Sequence, residues 1–310
     1  MFDRKIAWIK KGLILEPRTS LWWNRTHIMA PTIDPQPVSE GCFKVYFGGR
    51  NDRNQTHVGW AIIDLRADGR VVDWAEEPVL HPGRLGTFDD NGVVPNCLVN
   101  AGAKKYLYYV GFKPGGTTRM DLYGGLAISS DGGRTYERYS EAPILDRTHL
   151  NPYINTAPYV ILDGGLWRMW YVAGTGWRHR DTPRYNLQHA TSPDGIHWQR
   201  DGTVCIDFAD DRENALARPF VLKEDGVYKM WFAHKGAGDE WGNYRLGYAE
   251  SEDGINWIRR DDFVGIDVSP SGWDSEMMEY AVIARYNGRR FMIYNGNAYG
   301  TWGAGLAVEA

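Results

Sequence analysis

Acidic side chains recur along this 310-residue chain a few positions ahead of apolar runs. F-D-D-N-G-V-V-P carries Asp89 and Asp90, R-E-N-A-L-A-R-P carries Glu213 together with Arg218, and W-D-S-E-M-M-E-Y carries Asp274, Glu276 and Glu279. Two carboxyl groups facing one cavity can divide acid–base work. Burial or a like charge keeps one protonated as a proton donor, while the other stays ionised to activate water or attack carbon. Register favours a common depth, because His27 stands four residues before Pro31, Asn91 four before Pro95 and Glu276 four before Tyr280. Polar and aromatic residues also cluster after other apolar runs: Arg50 and Asp52 in G-G-R-N-D, Trp177, Arg178, His179 and Arg180 in G-W-R-H-R, His234, Lys235, Asp239, Glu240 and Trp241 in H-K-G-A-G-D-E-W, and Asn295, Asn297 and Tyr299 in N-G-N-A-Y. Each has a structural alternative. Arg218 and Glu279 hold equivalent positions and can form a buried ion pair, Asp89 or Asp90 can cap a loop, and His27 can be a satisfied core histidine.

The elements that must position these groups emerge from repetition. Short β-type runs centre on Val45, Leu107, Met169, Met230 and Met292, at spacings of 62, 62, 61 and 62. Asp-Gly turns at Asp68, Asp131, Asp194 and Asp253 follow at 63, 63 and 59. A proline opens an apolar run at Pro31, Pro95, Pro158 and Pro219, with Tyr280 in the fifth place. Three series with one period predict five units of about 62 residues, each of four strands. Four-stranded units in radial repetition describe a β-propeller. The expectation is an all-β, five-bladed β-propeller of four-stranded antiparallel blades, forming one domain over 1–310. Its blades fall at roughly 24–80, 88–145, 152–207, 213–268 and 274–310 plus 5–17. The last unit lacks a fourth strand, and W-I-K-K-G at Trp8 matches the outer strands W-A-E-E-P, Y-E-R-Y-S, W-Q-R-D-G and W-I-R-R-D, so the N-terminal strand is expected to complete that blade and close the ring. The Asp-Gly turns are read as structural, Asp capping the turn and Gly accepting positive φ.

Composition agrees. Aromatic residues at 14% and 36 glycines exclude a disordered chain, a collagen and a coiled coil. With 35 basic against 39 acidic residues, no basic surplus points to nucleic acid or anionic lipid. Cys42, Cys97 and Cys205 have no disulfide or zinc spacing and read as buried thiols. No metal or cofactor is expected. The N-terminus has no apolar run of signal-peptide length and no stretch is long enough to span a membrane, so the expected location is the cytoplasm.

Ser-x-Asp-Gly-x-x-Trp after a short strand, repeated in a five-unit chain, resembles the five-bladed propellers of glycoside hydrolase families 43 and 32, and also families 68 and 117; S-S-D-G-G-R-T-Y is similar to the Asp-box of sialidases. The resemblance covers nearly the whole chain and implies a pocket at the ring axis, at the N-terminal ends of the innermost strands, where three carboxylates act. The family's positions for those acids hold Ala30, Ala157 and Ala217 here, so none of the three is carried over. Asp34-Pro35 looks like the family's Asp-Pro pair but falls late in its strand.

The implied function is a carbohydrate-active enzyme, most simply a glycosidase, with Asp90 and Glu279 as the first pair of carboxylates and Glu213, Glu276 and Asp89 as the others. A separation of about 5–5.5 Å would imply retention and about 6.5–9.5 Å inversion. Arg50, Asp52, His27, Trp177, His179, Arg218, Lys235, Asn295 and Tyr299 are the expected sugar contacts, and Arg50, Arg218 and Lys235 suit an anionic sugar or phosphate. Trp177, Trp241, Trp273 and Trp302 fall in loops expected to face the sugar. The partner is then a sugar or oligosaccharide, with no nucleic acid or membrane. A glycan-binding propeller without hydrolysis, a sugar-modifying transferase, and a metal-assisted variant using His27 stand as alternatives.

Overall fold

A computed structural model of the protein describes residues 5–236 and 243–310; Asp239, Glu240 and Trp241 lie outside the described residues. After β1 (Trp8–Leu15), strands come in antiparallel sets of four. The first set is β2 (Thr26–Ile33), β3 (Cys42–Arg50), β4 (Thr56–Asp64) and β5 (Arg70–Trp74). The second is β6 (Gly92–Ala101), β7 (Lys104–Pro114), β8 (Met120–Ser129) and β9 (Glu137–Arg138). The third is β10 (Asn155–Asp163), β11 (Leu166–His179), β12 (Thr182–Ser192) and β13 (Val204–Ile206). The fourth is β14 (Glu213–Glu224), β15 (Val227–Gly236), β16 (Arg245–Ser251) and β17 (Ile258–Arg259). β18 (Glu279–Tyr286), β19 (Arg289–Asn295) and β20 (Ala304–Glu309) follow, and β1 pairs antiparallel with β20, Trp8 opposite Glu309. No helix among the described residues is long and apolar enough to cross a membrane.

Two details depart from the sequence reading. The fourth strand of the third set is β13, downstream of W-Q-R-D-G; Gln199 forms only an isolated bridge to Thr191, because an Asp201–Thr203 turn moves the ladder onward. The prolines also do not open their strands. They sit mid-strand, at a break in the ladder where a missing N–H costs no hydrogen bond. In four of the five inner strands a left-handed residue occupies that break: Ala30, Ala157, Arg218 and Tyr280, with φ from 47° to 57°.

Those breaks converge on Arg218. Its Nη2 donates to the carbonyls of Ala30 (2.9 Å) and Pro31 (2.8 Å) and to Thr32 Oγ1 (2.7 Å), its Nη1 to Tyr280 O (2.9 Å) and its Nε to Asn96 Oδ1 (3.2 Å). One buried guanidinium on β14 thus binds β2, β6 and β18 together. Burial lowers its pKa to about 10, so it stays charged at neutral pH. On its far side lies a mostly apolar cavity of about 250 Å³, lined by Thr32, Asn96, Tyr159, Phe220 and Val282 among others.

A second stitch works inside each set, between the segment ahead of the inner strand and the outermost strand or its continuation. Arg138 Nε and the Tyr109 hydroxyl donate to Asp89 (2.8 and 2.9 Å). Arg259 grips Glu213 through two bonds of 2.7 Å. Lys10 of β1 and the Tyr294 hydroxyl meet Asp274 (2.7 and 3.0 Å). In the first set Trp23 stands in, stacking on Phe47 and donating to Glu76 O (2.9 Å). A third stitch joins neighbouring sets: the Asp-Gly turns offer carbonyls of Gly133, Gly195 and Gly254 to the Tyr46 hydroxyl, the Tyr108 hydroxyl and Trp170 Nε1 of the preceding set. Trp231 holds the next place in that series, and its Nε1 is buried without a partner because the last set has no such turn.

Burial pushes the Glu213 carboxyl up, but Arg259, His234 and the Ala209 N–H outweigh it and hold its pKa at about 2 against an ordinary 4.5. A carboxyl lowered on folding adds stability above pH 4.5 and loses it as pH falls toward 2. Arg259→Met should therefore destabilise the protein by about 3 kcal/mol at pH 7, with the deficit shrinking below pH 4.5, as read by urea unfolding across pH. Arg218→Met, which leaves several buried acceptors bare, should cost at least as much and show no such pH dependence.

Candidate active site

At the N-terminal ends of the inner strands one carboxyl stands apart. Glu279 is the first residue of β18, is fully buried, and neither of its oxygens meets a hydrogen bond of normal geometry. Burial drives its pKa well above the usual carboxylate range; the Tyr280 hydroxyl, Lys235 and Arg218 act in the opposite direction without prevailing. Such a shift favours the protonated carboxylic acid, the form that can donate a proton.

Tyrosines and one lysine surround it. The hydroxyls of Tyr185, at the start of β12, and Tyr244, just ahead of β16, bond to each other. The Tyr244 ring lies 6.3 Å from the rings of both Tyr280 and Tyr299, and Lys235 Nζ stands 4.9 Å from its centroid. Burial lowers the pKa of Lys235, against the pull of Glu279. Tyr299, 38% exposed, forms the outer wall and has a left-handed backbone (φ 57°), as does Ala298 (φ 54°). That strained turn is held by Asn297, whose Oδ1 accepts the N–H groups of Glu276 and Met277 and whose Nδ2 donates to Gly272 O. Asn297 thereby ties the segment ahead of β18 to the turn after β19. From the other side the tip of the β11–β12 hairpin meets the end of the β7–β8 loop, Arg119 N–H donating to Arg180 O (2.7 Å), and Arg119 adds positive charge near Lys235 and Tyr299.

The remaining expected residues divide. Asp89 and Glu213 are committed to the stitches within their sets, which removes them as free acids. Asp90 caps a surface loop, its Oδ2 accepting Gly86 N–H (2.8 Å), and no contact joins it to Glu279. Glu276 has an exposed side chain. Arg218 is engaged by backbone carbonyls and forms no hydrogen bond to Glu279. Asn295 is also structural, with Oδ1 accepting Ala30 N–H and Nδ2 donating to Ile28 O and Gly303 O, which ties β19 to β2. Asp52 faces solvent beside Arg25. Trp177 and His179 belong to the extended β11–β12 ladder rather than a loop, because ladder irregularities at Gly174–Gly176 and Trp177–His179 let pairing continue outward; His179 is exposed. Trp273 stacks on Tyr294 (5.2 Å) and packs against Gly305, whereas Trp302 is 59% exposed. Asp34 lines the far-side cavity, bound to Lys105 (2.6 Å) and Asn100 (3.0 Å). His27 and Arg50 adjoin one another, 3.5 Å apart, near the Tyr299 turn through Thr301. Tyr185, Tyr244 and Arg119 were not foreseen. The first two open third strands, at matching places in the repeat (Y-N-L and Y-R-L), which is the signal that locates them.

No protein-family model matches the chain. The uncharacterized protein Rv1502 of Mycobacterium tuberculosis is 40% identical over 304 residues, covering 98% of this chain and 99% of that protein. A 1,2-beta-oligomannan phosphorylase of a Thermoanaerobacter species is 30% identical over 131 residues, covering 40% of this chain and 44% of that one. Among solved structures, one described as a glycoside hydrolase aligns with a TM-score of 0.72 at 18% identity, covering 99% of this chain and 92% of that one. A thermostable family-43 glycoside hydrolase aligns at 0.63 and 17% (91% and 89% covered), and the Bombyx mori GH32 beta-fructofuranosidase BmSUC1 at 0.63 and 17% (94% and 63% covered). At such identities the likeness concerns the fold, and the chain has the all-β propeller fold of structures of the family 43 and family 32 type. Near-complete coverage at 40% identity shows that the chain belongs to the same family as Mycobacterium tuberculosis Rv1502.

Proposed function

We propose that the protein is a carbohydrate-active enzyme that cleaves a glycosidic bond at the axis of a closed five-bladed propeller, with Glu279 as the proton donor. In this reading the sets are blades at roughly 24–80, 88–145, 152–207, 213–268 and 274–310 plus 5–17, all within one domain. The serial stitches between neighbours, the β1–β20 pairing and the bonds of Asn295 to β2 support a ring. The observation that carries the functional reading is Glu279 itself: a fully buried acid whose oxygens meet no hydrogen bond of normal geometry, its pKa raised by burial, beside the Tyr280 hydroxyl. Such a group is unfavourable for stability and suited to giving up a proton to a leaving oxygen. The tyrosine rings offer planes for the C–H faces of a sugar, with hydroxyls and Lys235 for its polar edge.

In cleavage the Glu279 proton passes to the glycosidic oxygen as the bond to the anomeric carbon breaks. In hydrolysis, water attacks that carbon and its proton passes to a base, for which the rim acids Glu276 and Asp90 are the candidates. Similarity to the oligomannan phosphorylase over 131 residues favours a second reading. There a phosphate oxygen attacks the carbon, yields a sugar phosphate and needs no second carboxylate. β-1,2-linked oligomannosides are the first substrates to test.

Turnover of that series, followed with and without inorganic phosphate, separates the two readings: release of sugar phosphate only when phosphate is present means phosphorolysis. Glu279→Gln should lower kcat by about 10²-fold or more and leave the melting temperature no lower; activity that survives the change would end the assignment. The pH sign is definite. A carboxyl whose pKa is raised on folding contributes its stability below pH 4.5 and loses it as pH rises toward the raised value. Wild type should therefore lose stability relative to Glu279→Gln as pH rises above 4.5, and its activity should fall on the alkaline side as the acid ionises.

A further inference from the structure

Arg50 ends β3 at the same end of the inner strands as Glu279, and it is a partly buried cation with no acid beside it. Among the described residues its polar neighbours are neutral: Nη2 lies 3.3 Å from Met29 Sδ and Nη1 lies 3.5 Å from His27 Nε2, while Nε is shut off from solvent with no partner. His27 cannot balance the charge. Burial and the neighbouring guanidinium lower its pKa to about 4, so it is neutral at pH 7. Its ring is fixed between Thr26 Oγ1 (2.9 Å) and Thr301 Oγ1 (3.0 Å), and its own backbone is left-handed (φ 66°). The acids close in sequence are turned elsewhere: Asp52 sits with Arg25 at the surface. Thr301 belongs to the turn that carries Tyr299, so the guanidinium adjoins that turn through His27. Lys235 and Arg119 add positive charge beside Tyr244 and Tyr299.

A desolvated guanidinium without a counter-ion is costly, and folded proteins otherwise pair such groups, as they do here for Arg138 and Arg259. We propose that Arg50 is the anchor of an oxyanion subsite at the pocket, taking a phosphate or carboxylate group through its planar fork, with His27 as the neutral residue that orients the fork. The inference deepens the proposed function by giving the substrate site an anion requirement, and it rests on that reading only for the identity of the pocket. Two sources share this chemistry: free inorganic phosphate, or an acidic group carried by the sugar.

Calorimetric titration of the full-length protein with inorganic phosphate, glucuronate and mannose, at constant ionic strength, tests it without turnover. At least one oxyanion should bind, and Arg50→Gln should weaken that binding about ten-fold or more, with circular dichroism showing the fold retained. Arg50→Lys, which keeps the charge and loses the fork, should bind several-fold more weakly than wild type and serves if Arg50→Gln does not fold. Binding of phosphate alone identifies free phosphate as the occupant; binding of glucuronate alone identifies an acidic sugar; binding of both supports the oxyanion subsite in common. No oxyanion binding to wild type, or binding equal in wild type and the folded variant, overturns the proposal. Because Glu279→Gln is judged by turnover and Arg50 by binding, either assignment can fail while the other stands.

Discussion

The arrangement depends on a charge placed where charge is least welcome. Arg218 sits on the inner edge of its set with a left-handed backbone, and its guanidinium is surrounded by strand edges. Inner strands broken by bulges have carbonyls with no ladder partner, and a planar cation with five donors satisfies several of them from different strands at once. The bulges and the arginine therefore need each other. Without the bulges no carbonyls would turn inward, and without the arginine those carbonyls would be buried and bare. An apolar cavity adjoins this hub at Thr32 and Asn96, and Glu279 lies beside Tyr280, whose carbonyl the hub holds.

Around that hub each set is secured by polar bonds that remove most acids from chemical service. Asp89, Glu213 and Asp274 lie at matching places, and each has a cation from an outer strand. The last of these cations is Lys10, which belongs to the N-terminal strand, so one stitch fastens the chain's beginning to its final set. Glu279 lies farther along its strand, and among the described residues no cation is hydrogen-bonded to it. This follows from position: a residue on an inner strand beside the Arg218 hub faces other inner strands rather than the polar outer edge.

The same logic separates what was legible in the sequence from what was not. The four-strand period, the Asp-Gly turns and the match of Trp8 to other outer strands all rest on local rules of alternation and turn chemistry, and three of the four turns behave as read: Ser129, Ser192 and Ser251 hydroxyls and the Asp131, Asp194 and Asp253 carboxylates bind backbone N–H groups a few residues away, whereas at Asp68 the backbone is left-handed and Asp64 supplies the cap. The pairing of W-x-R and W-x-K outer strands with acids far away in sequence was visible only as a pattern of types. Lys10 and Asp274 are 264 residues apart, and nothing local couples them. Trp177 and His179 read as a loop after the second strand, yet irregular pairing carries the β11–β12 hairpin outward through them.

The sequence by itself determined the all-β class, the repeating unit and the set of ionisable residues near the N-terminal ends of the inner strands, because strand period and turn preference are properties of neighbouring residues. Only the tertiary structure decided which of those residues keeps its chemistry. Asp89, Glu213, Asp274 and Glu279 look alike as carboxylates in a row of repeats, as Arg50 and Arg218 look alike as arginines. Burial and the nearest opposite charge fix the protonation and availability of each, and both are set by contacts between residues 20 to more than 250 positions apart in the chain. Glu279 has its pKa raised because burial outweighs the charges of Lys235 and Arg218, and among the described residues no acid is paired with Arg50.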